Sequence, residues 1–228
     1  MLKIMLDPGH GHNVNRSPLD ATFYEGANNY SIAIALKDAL LGYDGVEVMM
    51  TRDAVTDNPS LDQRGKMAVE KGCDVFFSIH SNASSDSSAY GVEGYYSITT
   101  PNAYSLLANL CNICKDYLPG SKIRRVVTKV SGGVDYYGVL RSSVGVKYSM
   151  LIEQGFHTNP NELGCIRLEE WHRAVAEQYA RAFADFFGLV KKESPVNPTE
   201  EEETINDITL ELATISERLK EISEILKK

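Results

Sequence analysis

Three titratable side chains stand where apolar, strand-like segments of the sequence end. His10 follows the first such segment in a glycine-rich turn, His80 closes the third, and Glu153 closes the last. In open parallel α/β sheets, ligand sites lie beyond the carboxyl ends of the strands, which meet at one edge. We therefore expect His10, His80 and Glu153 to converge from distant parts of the chain.

A zinc site is the chemistry that these residue types favour. Imidazole nitrogens and carboxylate oxygens are common zinc ligands, and a catalytic zinc takes three protein ligands and keeps one position for water. Glu25 is the best third ligand by sequence, because it stands just before the first predicted helix, in the loop that starts at His10. A negative side chain there also favours the helix N-terminus. Asp20, in the same loop, is the competing ligand.

The elements that position these residues alternate between strands and helices. Such alternation predicts an α/β fold with a mainly parallel, twisted sheet flanked by helices, formed by residues 1–190. The predicted strands are 2–6, 45–51, 75–80, 92–97 and 148–153, and the predicted helices are 28–41, 60–71, 103–117 and 168–187. A glycine-rich irregular stretch, 130–138, separates the third helix from the last strand.

Four short motifs stand in order along this part of the chain. They are Asp7-Pro8-Gly9-His10-Gly11, Glu25 before a helix, Ser78-Ile79-His80-Ser81-Asn82-Ala83, and Glu153-x-Gly155-Phe156-x-Thr158-Asn159. Their order and spacing resemble the zinc-dependent N-acetylmuramoyl-L-alanine amidases, as do Thr51-Arg52-Asp53 and the helix bearing Leu61 and Arg64. The resemblance implies that His10, Glu25 and His80 bind Zn²⁺ and that Glu153 is catalytic.

The resemblance also implies a substrate and a reaction. The substrate is peptidoglycan, and the scissile amide joins the lactyl group of N-acetylmuramic acid to L-alanine. Zinc lowers the pKa of bound water to about 7, and Glu153 is expected to take the proton of the attacking water and deliver it to the leaving amine. Two alternatives stay open: a zinc endopeptidase or carboxypeptidase of the stem peptides, and a non-catalytic wall-binding module.

Several further side chains have open interpretations. His12 stands where the family commonly has glycine, and His157 follows Phe156, so each predicts either a contact in the cleft or an ordinary loop residue. His172 is interpreted as a surface or packing residue. Tyrosines in the irregular stretch and a polar loop are candidates for contacts with glycan or peptide: Tyr136, Tyr137 and residues 81–90. The four cysteines are interpreted as small buried hydrophobes in a reduced protein: Cys73, Cys111, Cys114 and Cys165.

Composition excludes two classes of partner. The net charge is −8, and no basic stripe of the kind that nucleic acid requires is present. No apolar run reaches the 18 residues of a membrane-spanning helix, so membrane insertion is not expected. No signal peptide is recognisable at the N-terminus. We therefore expect a protein that is cytoplasmic before release and then acts on the cell wall, as a phage endolysin does.

The last part of the chain has a different pattern. Residues 191–203 carry two prolines and several glutamates and are interpreted as a linker. Residues 204–228 are predicted to form a short C-terminal coiled-coil helix, because apolar residues recur there with alternating spacings of three and four. They are Ile205, Ile208, Leu212, Ile215, Leu219, Ile222 and Leu226. Leu at a and Ile at d favour more than two strands, so a homo-oligomer, preferably a tetramer, is expected. The alternative is a helix folded back on the catalytic domain.

Overall fold

The computed structural model describes residues 1–192 and 208–209. Residues 1–191 form one compact unit, and strands and helices alternate along most of it. The strands are β1 (Leu2–Pro8), β2 (Val46–Met50), β3 (Val75–Asn82), β4 (Val92–Tyr96), β5 (Ile123–Val127), β6 (Val130–Ser131), β7 (Val134–Asp135) and β8 (Tyr148–Phe156). The helices are α1 (Glu25–Leu41), α2 (Leu61–Glu70), α3 (Tyr104–Asp116), α4 (Gly138–Ser142), α5 (Pro160–Ile166) and α6 (Glu169–Phe187), with a 3₁₀ turn at Pro101–Ala103.

Six strands form one sheet in the order β2-β1-β3-β8-β4-β5. The first four run parallel to one another, which confirms the predicted α/β architecture with a mainly parallel sheet. Strand β4 pairs antiparallel with β8, and β5 then runs parallel to β4. The reversal follows from the connection between β3 and β4, which contains no helix and so does not return the chain to the start of a parallel strand.

Helices cover both faces of the sheet. On one face, apolar residues of β1, β3 and β8 pack against α1, α3 and α6, with Phe77, Tyr179 and Phe183 among the fully buried rings. On the other face, Phe76 and Leu151 belong to a smaller cluster beneath α2 and α4. The side chains of a strand alternate between its two faces, so the second face also receives Asp7, Ser78, His80 and Glu153. The smaller helices leave this face open at the carboxyl ends of the strands.

Helix α1 begins at Glu25, three residues before its predicted start. The apolar periodicity of the helix starts at about residue 28. Gly26 lies in the first turn, and because glycine is a poor helix former, the sequence does not indicate that the helix begins before it. Gly26 is required there because a Cβ atom at this position would lie 1.8 Å from the carbonyl oxygen of Gly11. Glu25 is the first residue of the helix rather than a residue of the preceding loop.

The cysteines and His172 belong to the packing of the domain. All four cysteines are free thiols. Burial raises the pKa of the Cys111 thiol to about 12, so this thiol stays protonated and inert, as its interpretation as a buried hydrophobe requires. The His172 ring lies within hydrogen-bonding distance of Ser31 Oγ and Asn28 Oδ1, both at 3.0 Å, and ties α6 to α1.

The predicted linker and coiled-coil seam lie outside the described residues, apart from residues 191–192 and 208–209. Ile208, one residue of the seam, is exposed. Within the described part of the chain, no helix is long and apolar enough to span a membrane.

Candidate metal centre

His10, Glu25 and His80 meet at the edge of the sheet where β1 and β3 end. One possible ligand atom from each of the three lies within 4.8 Å of the others. Nε2 of His10 is 3.3 Å from Glu25 Oε2, and Nδ1 of His80 is 3.1 Å from Glu25 Oε1. We call this edge, with the end of the neighbouring β8, the site edge. The structure thus brings together the three residues that the sequence suggests as metal ligands.

Hydrogen bonds hold the carboxylate of Glu25 in place. Oε1 accepts from the backbone N–H of Ser81 at 3.0 Å and from Asn29 Nδ2 at 3.2 Å. Oε2 accepts from Asn15 Nδ2 at 2.8 Å. Glu25 is only 2% exposed, and its position at the first turn of α1 adds the favourable field of the helix N-terminus. The carboxylate is therefore oriented before any ligand binds.

Neighbouring charges favour an ionised Glu25, and burial favours a neutral His10. Burial acts to raise the pKa of Glu25, but hydrogen bonding to His80 and the charges of the two histidines outweigh it and lower the pKa below its usual value. Burial lowers the pKa of His10, so that ring is neutral at pH 7. His80 has a raised pKa, because the hydrogen bond to Glu25 and the charge of Glu153 outweigh its burial.

The turn that carries His10 is fixed by a buried arginine. Arg64 Nη1 donates to the carbonyl of Pro8, and Arg64 Nη2 donates to the carbonyl of His10, both at 2.8 Å. His10 itself has a left-handed backbone with φ of 62°, which costs free energy for a residue with a side chain. Gly9 is required beside it, because a Cβ atom there would lie 2.2 Å from the ring of His80.

Asp7 anchors this arginine beneath the site. Its carboxylate accepts from Arg64 Nη1 at 2.8 Å, from Thr51 Oγ1 at 2.7 Å and from Ser78 Oγ at 2.7 Å. Asp7 is fully buried and Arg64 almost so. Removing either partner alone would therefore leave a buried, unpaired charge and destabilise the fold. Thr51 and Arg64 stand in segments of the sequence that resemble a family pattern, and the structure adds their role: they support the turn that carries His10.

Arg52 has a similar supporting role at the start of α1. Its Nη1 donates to the carbonyl of Gly26 at 2.8 Å, and its guanidinium lies 5.0 Å from the centre of the Tyr30 ring. The side chain is fully buried. Arg52 thereby holds the first turn of α1, and with it Glu25, close to the carboxyl end of β2.

Glu153 lies beside the cluster, on the neighbouring strand. His80 and Glu153 are register partners on the parallel strands β3 and β8, so both side chains leave the same face of the sheet. Oε2 of Glu153 is enclosed and has no hydrogen-bond partner among the described residues. Burial raises the pKa of Glu153 to about 8, although the charge of His80 acts to lower it. Such a carboxyl can exchange a proton at neutral pH.

The arrangement fits a zinc ion. Two imidazoles and one carboxylate are a known set of ligands for catalytic zinc, and their donor atoms converge within the described part of the chain. The enclosed Oε2 of Glu153 supports the same conclusion. A buried polar atom without a hydrogen-bond partner is rare in proteins, so this oxygen indicates a partner that a bound molecule would supply. The residues present therefore suit a metal with an adjacent proton acceptor.

Asp20 and His157, two of the other candidates, lie away from the ligands. The carboxylate of Asp20 pairs with Arg167 at 2.8 Å and accepts a hydrogen bond from Thr22, and Asp20 is not among the residues whose possible ligand atoms converge. His157 is buried rather than lining the cleft. Its Nδ1 lies 2.9 Å from Ser81 Oγ, and the Ser81 N–H in turn binds Glu25. His12 is partly buried in the glycine-rich turn.

A cleft of about 220 Å³ opens beside the ligands. His10 and His80 form one side of it, and Leu61 and Val139, from α2 and α4, form the apolar side. Leu61 is 58% exposed, so its side chain presents an apolar surface to the cleft. The cleft gives a substrate direct access to the cluster.

Comparison with known proteins agrees with this geometry. The family model described as N-acetylmuramoyl-L-alanine amidase matches residues 4–185. The N-acetylmuramoyl-L-alanine amidase CwlM of Bacillus licheniformis is 28% identical over 194 residues, covering 84% of this chain and 71% of that protein. The probable cell wall amidase LytH of Staphylococcus epidermidis is 30% identical over 176 residues, covering 77% of this chain and 54% of that protein.

Solved structures show the same fold. An N-acetylmuramoyl-L-alanine amidase from Clostridium difficile 630 aligns with a TM-score of 0.71 and 27% identity, covering 82% of this chain and 97% of that one. Cwp6 from Clostridium difficile aligns with a TM-score of 0.71 and 27% identity, covering 81% of this chain. The chain spans only 29% of the length of Cwp6, so it corresponds to one part of that protein.

Proposed function

Because this chain belongs to the N-acetylmuramoyl-L-alanine amidase family, we propose that it hydrolyses the amide bond between N-acetylmuramic acid and L-alanine in peptidoglycan. We further propose that it does so with Zn²⁺. The observation that carries the proposal is the convergence of His10, Glu25 and His80 next to Glu153 at one edge of the sheet.

His10, Glu25 and His80 would hold the ion. When bound, zinc supplies a Lewis acid that polarises the amide carbonyl and makes water more acidic. The protein contributes the orientation of the ligands: Arg64 fixes the backbone of His10, and the Ser81 N–H and Asn15 fix the two oxygens of Glu25. This support keeps the ligand set in place without any contribution from the substrate.

Glu153 would move the proton. Its unpaired Oε2 accepts a proton from the attacking water and then passes it to the nitrogen of the leaving amine, which is a poor leaving group until it is protonated. Burial raises the pKa of Glu153 towards neutral, and a pKa close to the working pH is best for a group that must both accept and donate. Such a group contributes roughly 10²–10⁴ in rate.

The organisation of the whole chain is part of the proposal. Residues 1–190 would be the catalytic domain, 191–203 a linker, and 204–228 an oligomerisation helix. The alternating spacing of apolar residues in 204–228 supports this division. Joining several catalytic domains would raise their avidity for a polymeric wall without any new contact.

Product analysis on purified cell wall tests the reaction. An amidase releases free amino groups of L-alanine and leaves unsubstituted lactyl carboxyls on muramic acid, whereas a stem-peptide endopeptidase or carboxypeptidase releases neither. Glu153→Gln serves as the control for background hydrolysis. New amino termini other than alanine would contradict the proposal, and no release at all would favour a non-catalytic wall-binding module.

A further inference from the structure

Lys129 directly precedes β6 and has its ammonium group over a set of tyrosine rings. Its Nζ is 3.9 Å from the centre of the Tyr136 ring, 5.4 Å from that of Tyr137 and 5.8 Å from that of Tyr95. In the described part of the chain, no carboxylate lies within 4.0 Å of it. Lys129 is also exposed. Its charge is therefore held in place by aromatic faces and remains available to an anion.

Two arginines near one edge of the sheet are already paired with a carboxylate. Arg124 Nε lies 2.6 Å from Glu93 Oε1, and Arg125 Nε lies 3.6 Å from the same oxygen. Lys122 rests on a different ring, 4.3 Å from the centre of Tyr90. Among these side chains, Lys129 alone combines an unpaired charge with a position over the ring of Tyr95, on the strand that pairs with the strand of Glu153.

A short hairpin fixes the backbone at Lys129. The N–H of Tyr136 donates to the Lys129 carbonyl at 2.7 Å, closing the hairpin of β6 and β7. Asp135 then ties the hairpin to the sheet, because its carboxylate accepts from Ser97 Oγ at 2.6 Å and from the Ile98 N–H at 2.9 Å. Arg141 donates to the carbonyls of Asp135 and Tyr136 as well. The lysine thus projects from a braced segment.

The tyrosines connect this lysine to the row of side chains that carries Glu153. Tyr95 on β4 pairs with Leu151 on β8, and Glu93 pairs with Glu153, so Tyr95 and Glu153 lie on the same face of the sheet. Tyr137 packs 4.7 Å from Tyr95, centre to centre. A peptide that presents its amide to Glu153 would pass along these rings. Lys129, with its ammonium group over these rings, would then meet the part of the peptide that lies along them.

We infer that Lys129 binds a carboxylate of the substrate's peptide and so makes the enzyme prefer an acidic peptide over its amidated counterpart. The inference rests on the proposed function. A lysine ammonium offers three donors and no acceptor, so it distinguishes a carboxylate from a carboxamide by charge. Two sources of the carboxylate fit this chemistry: the side chain of the residue after L-alanine, and the carboxyl terminus of the peptide.

Two pairs of soluble N-acetylmuramoyl-L-alanyl peptides test the inference. One pair differs only in a side-chain carboxylate or carboxamide on the residue after L-alanine, and the other only in a free or amidated carboxyl terminus. We expect the unmodified protein to show a kcat/KM roughly tenfold higher for the acidic member of one pair, which identifies the source. This is the size of one charge-assisted hydrogen bond. Lys129→Met should abolish the preference by lowering kcat/KM for that acidic peptide alone.

Lys122→Met is the matched control, because it also removes a lysine from a tyrosine ring and should keep the preference. Equal cleavage within both pairs by the unmodified protein would overturn the inference and leave the proposed function standing. An equal loss on every peptide in Lys129→Met would also overturn it, since Lys129 would then act through the fold or through Glu153. Cleavage of none of the peptides would overturn the proposed function and the inference together.

Discussion

His80 and Glu153 are register partners on the adjacent parallel strands β3 and β8. Backbone pairing of the sheet, rather than a loop, therefore sets the position of the proposed proton-transfer group relative to the proposed metal ligand. Sites built on strands hold their geometry more closely than sites built on loops. Hydrogen bonds position the other two side chains relative to this pair. Arg64 holds the backbone of His10, and Arg52 and the Ser81 N–H hold Glu25.

Glu153→Gln should keep the fold and bind zinc but lose at least about a hundredfold in kcat, because the carboxamide cannot take a proton from water. Metal content and steady-state turnover on a soluble muramoyl peptide measure this. Glu177→Gln, on the exposed surface of α6, is the control and should turn over normally. Near-normal turnover by a zinc-loaded Glu153→Gln variant would remove Glu153 from the mechanism.

The same substitution should stabilise the metal-free protein at neutral pH. Burial raises the pKa of Glu153 to about 8, whereas an unfolded glutamate titrates at about 4.3. Between these values the folded chain binds the extra proton, so the stability of the unmodified protein falls as pH rises. Urea unfolding of metal-free samples should show Glu153→Gln as the more stable by at least about 1 kcal/mol at pH 7, with little difference at pH 4.

Glu177→Gln should show no such pH-dependent gain. A stability difference between Glu153→Gln and the unmodified protein that is equally large at pH 4 and pH 7 would mean that the effect comes from packing and not from the ionisation of Glu153.

Arg64→Met should destabilise the fold and weaken the metal site together. It leaves Asp7 as a buried, uncompensated charge, which costs about 3–5 kcal/mol, and it frees the carbonyls of Pro8 and His10 that Arg64 binds. Unfolding by denaturant and zinc affinity are the measurements. Lys66→Met removes an exposed ion pair with Asp62 in the same helix and should change neither. If a folded Arg64→Met variant binds zinc with unaltered affinity, Arg64 does not position the turn that carries His10.

The full chain should sediment as an oligomer, preferably a tetramer, through residues 204–228. A chain that ends near Lys192 should be a monomer that still cleaves soluble muramoyl peptides. Leu212→Asp combined with Leu219→Asp should dissociate the full chain, since each places a charge in the apolar seam. Lysis of whole cells should weaken while cleavage of soluble peptides does not. Sedimentation equilibrium that finds a monomer at micromolar concentration would contradict the seam as an interface.

The convergence of the side chains at the strand ends was predictable from the sequence, because parallel strands bring their carboxyl ends to one edge of the sheet. That single rule suffices to predict the approach of His10, His80 and Glu153. The direction of β4 was not predictable, since the pattern of an isolated strand is the same in either direction. Strand β5 was missed because its Arg124 and Arg125 break the apolar pattern, as charges at a sheet edge commonly do.

Long-range partners account for the rest of what the sequence concealed. The position of the Glu25 carboxylate depends on donors from Asn15 and Ser81, and the pairing of Asp7 with Arg64 joins residues from different elements. His157 offered two interpretations in sequence, and its position is decided by a hydrogen bond to Ser81. None of these contacts leaves a local periodicity.

Zinc titration of the metal-free protein on an N-acetylmuramoyl-L-alanyl peptide tests the central claim most directly. The rate at which free L-alanine amino groups appear should be negligible without metal and should rise to a plateau at one zinc per chain. His80→Ala should stay inactive at the same zinc concentrations. Release at the full rate by protein shown to contain no metal, or an unchanged rate in His80→Ala, would contradict a zinc amidase built on His10, Glu25 and His80.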